Sequence, residues 1–484
     1  MPCIESRLLD VTSRLLPLAA VGVAGYGAAC ALTFLRRWAW NRSAKRLYNK
    51  SLISVDSLST ANLDVIMRVA EKCKELVLGK GKCFILKDRI MAALFFEPST
   101  RTRCSFEAAM QRLGGTVILQ DNMTTSSVSK GETLEDTVRM FSSYCDVIVM
   151  RHNLKGTAAR AVQASSVPIL NAGDGTGEHP TQALLDFFTI RSFFPNIQRD
   201  ASGEALRVAF VGDLKHGRTV HSLSRLLSRY NVAFKHVSPE QLRLTDDFMR
   251  ELDETFQKHN RDPKARQGCY DSLQEVLPMS DVLYMTRVQK ERFATPQEYA
   301  RVKDSYILTA SLLDAYSPAH QKILHPLPRV NEIHTDVDRN IRSAYFEQAQ
   351  NGLFVRMALL LVVFGKSAEV LFPYPSPKEA FLSLFSVLTW PLWSPSEGKR
   401  AATGAGEGAE LPLPTARPRT QTLEKEIESA CNWSLRERRV QCADGDGDGD
   451  GVGVWMEKET ESDSACDWRE MEKVAVCGWM WECM

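Results

Sequence analysis

None of the twelve cysteines belongs to a C-x-x-C pair, so the usual spacing of a structural zinc site is missing and the thiols fit a reducing compartment. Cys104, Cys145 and Cys269 read most simply as small buried hydrophobes. Charge of either sign is not in excess: 60 basic side chains face 59 acidic ones, a formal net charge of +1, and nothing global points to nucleic acid. Attraction for anions has to be local. Long apolar runs are scarce. One uncharged stretch, Leu15 to Leu35, has 21 residues, enough to cross a bilayer at about 1.5 Å per helical residue. Pro17, Gly22, Gly25 and Gly27 weaken it, and a long signal sequence has the same look. From Arg36 to Lys50 there are six basic residues and no acidic one. Two readings stand side by side: a membrane anchor or contact through residues 15–35 with the rest of the chain in the cytosol, or a basic, acid-poor leader for a plastid or mitochondrion.

What is present is an ordinary globular composition. With 484 residues, 44% of them hydrophobic and 25% charged, the chain can build at least two cores. Apolar runs of strand length fall at Ile90–Phe95, Thr116–Leu119, Asp146–Met150, Pro168–Asn171, Arg207–Val211, Val232–His236 and Asp281–Tyr284, with helical patterns between them. That alternation implies an α/β fold of parallel sheets covered by helices. A helix over residues 179–194 is expected to link two domains, and a largely apolar helix over about 342–364 to be well buried.

The first of these strands runs into Phe96-Glu97-Pro98-Ser99-Thr100-Arg101-Thr102-Arg103, and apolar residues at helical spacing follow. A strand-to-helix turn offers unpaired N–H donors and the positive end of the helix dipole, and here hydroxyls and guanidinium groups are added. The implied ligand carries a phosphate or a group shaped like one. A capped helix start with two surface arginines is the bland alternative.

This turn, together with His179-Pro180-Thr181-Gln182, Gly212-Asp213-Leu214-Lys215-His216-Gly217-Arg218-Thr219, Thr286-Arg287-Val288-Gln289 and His325-Pro326-Leu327-Pro328-Arg329, resembles the aspartate carbamoyltransferase family over residues 51–366. The resemblance implies two domains: a carbamoyl-phosphate domain over 51–185, completed by a returning helix over 342–366, and an aspartate domain over 186–341. Residues 1–50 would be the leader or anchor.

Carbamoyl transfer needs a phosphate anchor, a stabilised oxyanion and an amine. The resemblance assigns the phosphate to Ser99, Thr100, Arg101 and Thr102, and the carbonyl oxygen to Thr102, Arg151 and His179. It gives the carbamoyl amide to Gln182, and places the backbone carbonyls of Leu327 and Pro328 near the amine with Arg329 close by. Arg218 would take the α-carboxylate of aspartate, Arg287 and Gln289 the β-carboxylate. A salt bridge from Arg287 to Glu291 is the structural alternative. Ornithine enzymes carry a cysteine after the late histidine, where this chain has Pro326, so aspartate is favoured. The polar loop Asp121–Glu132 reads as a mobile lid; by resemblance its Ser126 and Lys130 enter the neighbouring subunit's site, which implies a homotrimer with shared sites. No metal or organic cofactor is called for. The expected reaction is carbamoyl phosphate plus L-aspartate giving N-carbamoyl-L-aspartate and phosphate, a step of pyrimidine biosynthesis. Transfer to ornithine or another amine, and a non-catalytic membrane-tethered scaffold, are the alternatives.

Residues 367–484 read as a disordered tail with an apolar island at Leu382–Trp393. Asp446, Asp448, Asp450, Gly451 and Glu457 match a calcium-loop pattern. An alternating Asp/Gly run produces that match cheaply, so a flexible acidic spacer is the preferred reading.

Overall fold

The computed structural model describes residues 27, 29–41, 44–121, 127–197, 203–289, 293 and 295–375. The Leu382–Trp393 island and the calcium-loop match lie outside them.

Two all-parallel sheets form the frame. The first has the order β2-β1-β3-β4, built from β1 Ile90–Phe95, β2 Thr116–Gln120, β3 Val147–His152 and β4 Ile169–Asp174. The second has the order β7-β6-β5-β8-β9, from β5 Leu206–Val211, β6 Val232–Val237, β7 Gln267–Tyr270, β8 Val282–Met285 and β9 Lys322–Leu324. All seven anticipated strands exist. The expectation lacked β7 and β9, which are the two edges of the second sheet. β7 carries Gln267 and Gly268, and β9 has three residues, too few for an apolar run to show. The central strands β1 and β3 are buried almost throughout, as strands covered on both faces must be.

Each sheet reverses its strand order once, between β1 and β3 in the first and between β5 and β8 in the second. Ligands in open parallel sheets bind beyond the carboxyl ends of strands at such switch points. Glu97 to Thr102 follow β1, Arg151 is the penultimate residue of β3, Arg218 comes shortly after β5, and Arg287 shortly after β8. Both switch points therefore feed one cleft.

Helix Pro180–Phe193 links the lobes and is buried through Ile190. The return helix, Tyr345–Val363, packs on helices Thr60–Gly79, Thr100–Arg112 and Pro180–Phe193 of the first lobe. Its Asn351 amide donates to Thr189 Oγ1 at 3.0 Å. Because Phe354 is fully buried, its replacement by alanine costs about 3–5 kcal/mol.

The chain does not become irregular at residue 367. Ser367–Leu371 is helical, with Ser367, Ala368 and Val370 buried; five residues are too short for a helical period to be read from sequence. Residues 29–41 are also helical and pack on this segment: Trp40 Nε1 donates to Ser367 Oγ at 3.0 Å and Arg37 Nε to Phe372 O at 2.7 Å. Among the described residues no helix is long and apolar enough to cross a membrane. None of the three cysteines expected in the interior is fully buried. Cys104 and Cys269 are exposed and Cys145 is half-buried, since Cys104 lies on the outer side of its helix and Cys269 on an edge strand.

Candidate active site

Between the two sheets lies a cavity of about 610 Å3. Of the residues singled out in the sequence, Ser99, Thr100, Arg101, Thr102, Arg151, His179, Gln182, Arg218, Arg287, Gln289, Leu327 and Pro328 line it. Lys130 does not: it is exposed, at the end of the turn Ser127–Lys130. Ser126 is outside the described residues. Arg329 is not part of the wall either, because Asp338 holds it through Nη2 at 2.7 Å and Tyr345 OH lies 3.0 Å from Nη1. Glu291 is outside the described residues.

The phosphate-type turn is built as an open helix start. Helix Thr100–Arg112 has Ser99 at its N-cap, yet the Ser99 side chain makes no capping bond, so the N-terminal donors and the hydroxyl face the cavity instead of each other. Thr102 is buried. Arg101 is pushed below the usual arginine range by burial and by the like charge of Arg287, which places the two cations in each other's field.

Five arginines line the cavity: Arg101, Arg151, Arg218, Arg287 and Arg356. One carboxylate, Glu97, accompanies them. Glu97 Oε1 accepts from Arg151 Nη2 at 2.7 Å and from Arg218 Nη2 at 3.1 Å, while Arg218 Nη1 also donates to Gly175 O at 2.7 Å. Burial by itself would raise the Glu97 carboxyl, but the two guanidiniums outweigh it and hold its pKa below the ordinary value. Burial, reinforced by Arg218 and opposed by Glu97, brings Arg151 down to about 10, and it stays charged at neutral pH. Gly173 makes room for this pair. Its φ is +121°, and a Cβ there would sit 3.3 Å from Arg151 Nη1 and from Arg218 Cζ.

His179 is buried at the N-cap of the linking helix, where burial and then Arg151, Arg218 and Arg356 press its pKa well below the usual range. It is a neutral imidazole at physiological pH, able to donate one N–H without adding charge. The far wall is fixed by His325. Its Nδ1 accepts from Leu327 N–H at 2.7 Å, so its other nitrogen, Nε2, carries the proton and donates to Glu332 Oε1 at 2.8 Å. Those bonds hold the Leu327 and Pro328 carbonyls in place, and the peptide joining them is cis.

Glu97, Arg356 and Gln348 were not given roles from sequence, and all three line the cavity. Two of them had a signal. Glu97 is an acid inside a turn otherwise rich in hydroxyls and guanidiniums, and Arg356 is a lone charge in the run Phe354-Val355-Arg356-Met357-Ala358.

The fold and cavity define a two-lobed α/β protein of the anion-binding kind, with its cleft at the paired switch points. The chain is matched by two family profiles, "Aspartate/ornithine carbamoyltransferase, carbamoyl-P binding domain" over residues 50–192 and "Aspartate/ornithine carbamoyltransferase, Asp/Orn binding domain" over residues 204–363. It belongs to the aspartate/ornithine carbamoyltransferase family. It is similar to the aspartate carbamoyltransferase catalytic subunit of Methanosarcina acetivorans, 46% identical over 317 residues, which are 66% of this chain and 98% of that one. The multifunctional protein pyr1-3 of Dictyostelium discoideum is 47% identical over 68% of this chain, a match that spans 14% of that longer protein. Among solved structures, aspartate transcarbamoylase from Trypanosoma cruzi in complex with carbamoyl aspartate and phosphate is 39% identical, with a TM-score of 0.60 over 66% of this chain and 97% of that one. The catalytic subunit of M. jannaschii aspartate transcarbamoylase is 44% identical, with a TM-score of 0.58, over 64% of this chain and 96% of that one.

Proposed function

We propose that the chain is an aspartate carbamoyltransferase, transferring the carbamoyl group of carbamoyl phosphate to L-aspartate to give N-carbamoyl-L-aspartate and phosphate in pyrimidine biosynthesis. The observation that carries this is the cavity's charge: five guanidiniums against a single carboxylate that two of them already hold. A phosphate and two carboxylates suit such a wall; the second ammonium of ornithine finds no uncommitted anion among the described residues that line it.

In this reading Ser99, Thr100, Arg101 and Thr102 hold the phosphate at the helix start, and the same donors stabilise it as it leaves. Thr102, Arg151 and neutral His179 donate to the carbonyl oxygen as it gains charge. One such donor is worth about 3–4 kcal/mol in the transition state. Arg218 holds the α-carboxylate of aspartate, Arg287 and Gln289 the β-carboxylate, and the Leu327 and Pro328 carbonyls orient the neutral amine. The amine nitrogen attacks the carbonyl carbon, the C–O bond to phosphate breaks, and the departing phosphate takes the amine proton. The homotrimer follows from the same reading, with Ser126 and Lys130 of one subunit completing the neighbour's site. The first domain would extend over 51–185 with the returning helix, the second over 186–341.

The test is phosphate release by the full chain from carbamoyl phosphate with L-aspartate and, separately, L-ornithine. Turnover with aspartate alone is expected. Turnover with neither, from folded protein, returns the weight to a non-catalytic role.

A further inference from the structure

We infer that Asp186, which does not line the cavity, sets the facing of the Gln182 amide and thereby makes the site select a carbamoyl over an acetyl group; the inference rests on the function proposed above. Asp186 is a positioning residue in this account.

Asp186 is fully buried, one helical turn beyond Gln182. Its Oδ1 accepts from Gln182 Nε2 at 2.8 Å and from Gln348 Nε2 at 2.6 Å, while its Oδ2 accepts from Tyr284 OH at 2.7 Å. The oxygen and nitrogen of a side-chain amide are told apart only by the network they join. Here the network is anchored by a group whose role admits no choice. The backbone N–H of His325 can only donate, and it lies 2.7 Å from Gln348 Oε1. Gln348 therefore turns its NH2 toward Asp186 Oδ1. A carboxylate oxygen that already accepts from one amide meets the second amide favourably only through that one's NH2 as well; a carbonyl there would set two acceptors face to face. Gln182 is left with its Oε1 turned away from Asp186, toward the cavity whose wall it forms.

That orientation places an acceptor in a wall otherwise rich in cationic donors. The NH2 of a carbamoyl group donates to it. The methyl of an acetyl group of nearly the same shape cannot, and the buried acceptor then stays unpaired. A site built to bond a polar group discriminates against the analogue lacking it more sharply than an apolar pocket discriminates by size. The network also joins three elements, with Gln182 on the linking helix, Gln348 on the return helix and Tyr284 on β8 of the second lobe. Burial raises the Asp186 carboxyl, and the three donated bonds with the nearby Arg356 charge oppose that rise.

A purely structural pin between the lobes is the competing account, and two variants separate the readings. Asp186→Asn keeps a carbonyl oxygen for both amides and lets the Tyr284 hydroxyl turn to accept, whereas Asp186→Leu keeps the shape and removes the acceptor. In the full chain, the KM for carbamoyl phosphate and the inhibition constant of acetyl phosphate as its competitor are measured for both. Asp186→Asn is expected to hold the ratio of the two constants within about twofold of the parent, and Asp186→Leu to raise the KM about tenfold or more while moving the acetyl phosphate constant less than about threefold, as loss of one hydrogen bond implies. Equal weakening of both ligands by Asp186→Leu, or an unchanged ratio, overturns the inference. Should Asp186→Leu not fold, Asp186→Thr replaces it, because one short hydroxyl cannot serve both amides; the same outcomes apply. Failure of the parent chain to turn over aspartate would instead strike the proposed function, before any variant is compared.

Discussion

Glu97 accepts from Arg218 at 3.1 Å, a bond between the turn after β1 in the first lobe and the start of a helix in the second. The same carboxylate holds Arg151, so one anion orients two cations on either side of the cleft.

Glu97→Gln leaves the buried Arg151 and the partly buried Arg218 without a shared charge. Truncating one partner of a buried, hydrogen-bonded ion pair costs about 2–5 kcal/mol, much of it from the charge left behind, and the partial exposure of Glu97 puts this network at the lower end. The expected result is a fall in kcat/KM for aspartate of about 30-fold or more. A variant within twofold of the parent in steady-state assays would show that Glu97 is not needed to hold them.

Much of this site could be read along the chain because a parallel sheet puts its ligand-facing residues directly after its most recognisable segments. Phe95 ends an apolar strand and Ser99 to Thr102 follow; Met150 and Arg151 repeat the arrangement. What could not be read is pairwise. Glu97, Arg151 and Arg218 lie far apart in sequence, and an acid in the strand-to-helix turn after β1 has no periodic signature. Asp186 shares the helical spacing of its neighbours, and only the meeting of three elements shows that its carboxylate is an acceptor for each. β7 and β9 escaped because edge strands need little apolar patterning.

Arg287→Ala is expected to raise the KM for aspartate by about 100-fold, since removing a charge-assisted hydrogen bond to a bound carboxylate costs roughly 3 kcal/mol. Carbamoyl phosphate binding, measured by equilibrium dialysis, should change less than about threefold, because the helix start proposed to hold it is untouched. Equal weakening of both ligands would remove Arg287 from the aspartate side.

Lys130 is exposed and is not among the residues that line the cavity, so mixing inactive variants tests the proposed sharing directly. In a trimer with one site per interface, either mixed composition of Lys130→Ala and Arg101→Ala subunits contains one site with both residues intact. Activity after subunit exchange should therefore approach about one third of the parent value per mixed trimer. Exchange verified by mass, without recovery, would rule out the shared site.

Acid should destabilise the fold through buried neutral histidines. His236 Nε2 donates to Gln267 Oε1 at 3.1 Å, because the Gln267 amide NH2 is used on Asp253 at 2.6 Å. Its Nδ1 is buried without a partner, so a second proton would have nowhere to bond, and burial brings its pKa down to about 4. His179 and His325 are lowered too. A folded pKa below the unfolded one gives stability that is present above the unfolded value of about 6.5 and is lost as pH falls toward the folded value. Asp186 acts oppositely: its pKa is raised to about 7, so its ionisation costs stability as pH rises from about 4 to 7 and offsets part of the loss on the way down. From pH 7 to 5, His236 alone should account for about 2 kcal/mol of lost stability. Urea unfolding at the two pH values should show that loss shrinking by this amount in His236→Gln, whose amide can keep the bond to Gln267, and growing in Asp186→Asn. A loss unchanged in both variants would mean that neither group sets the acid limb.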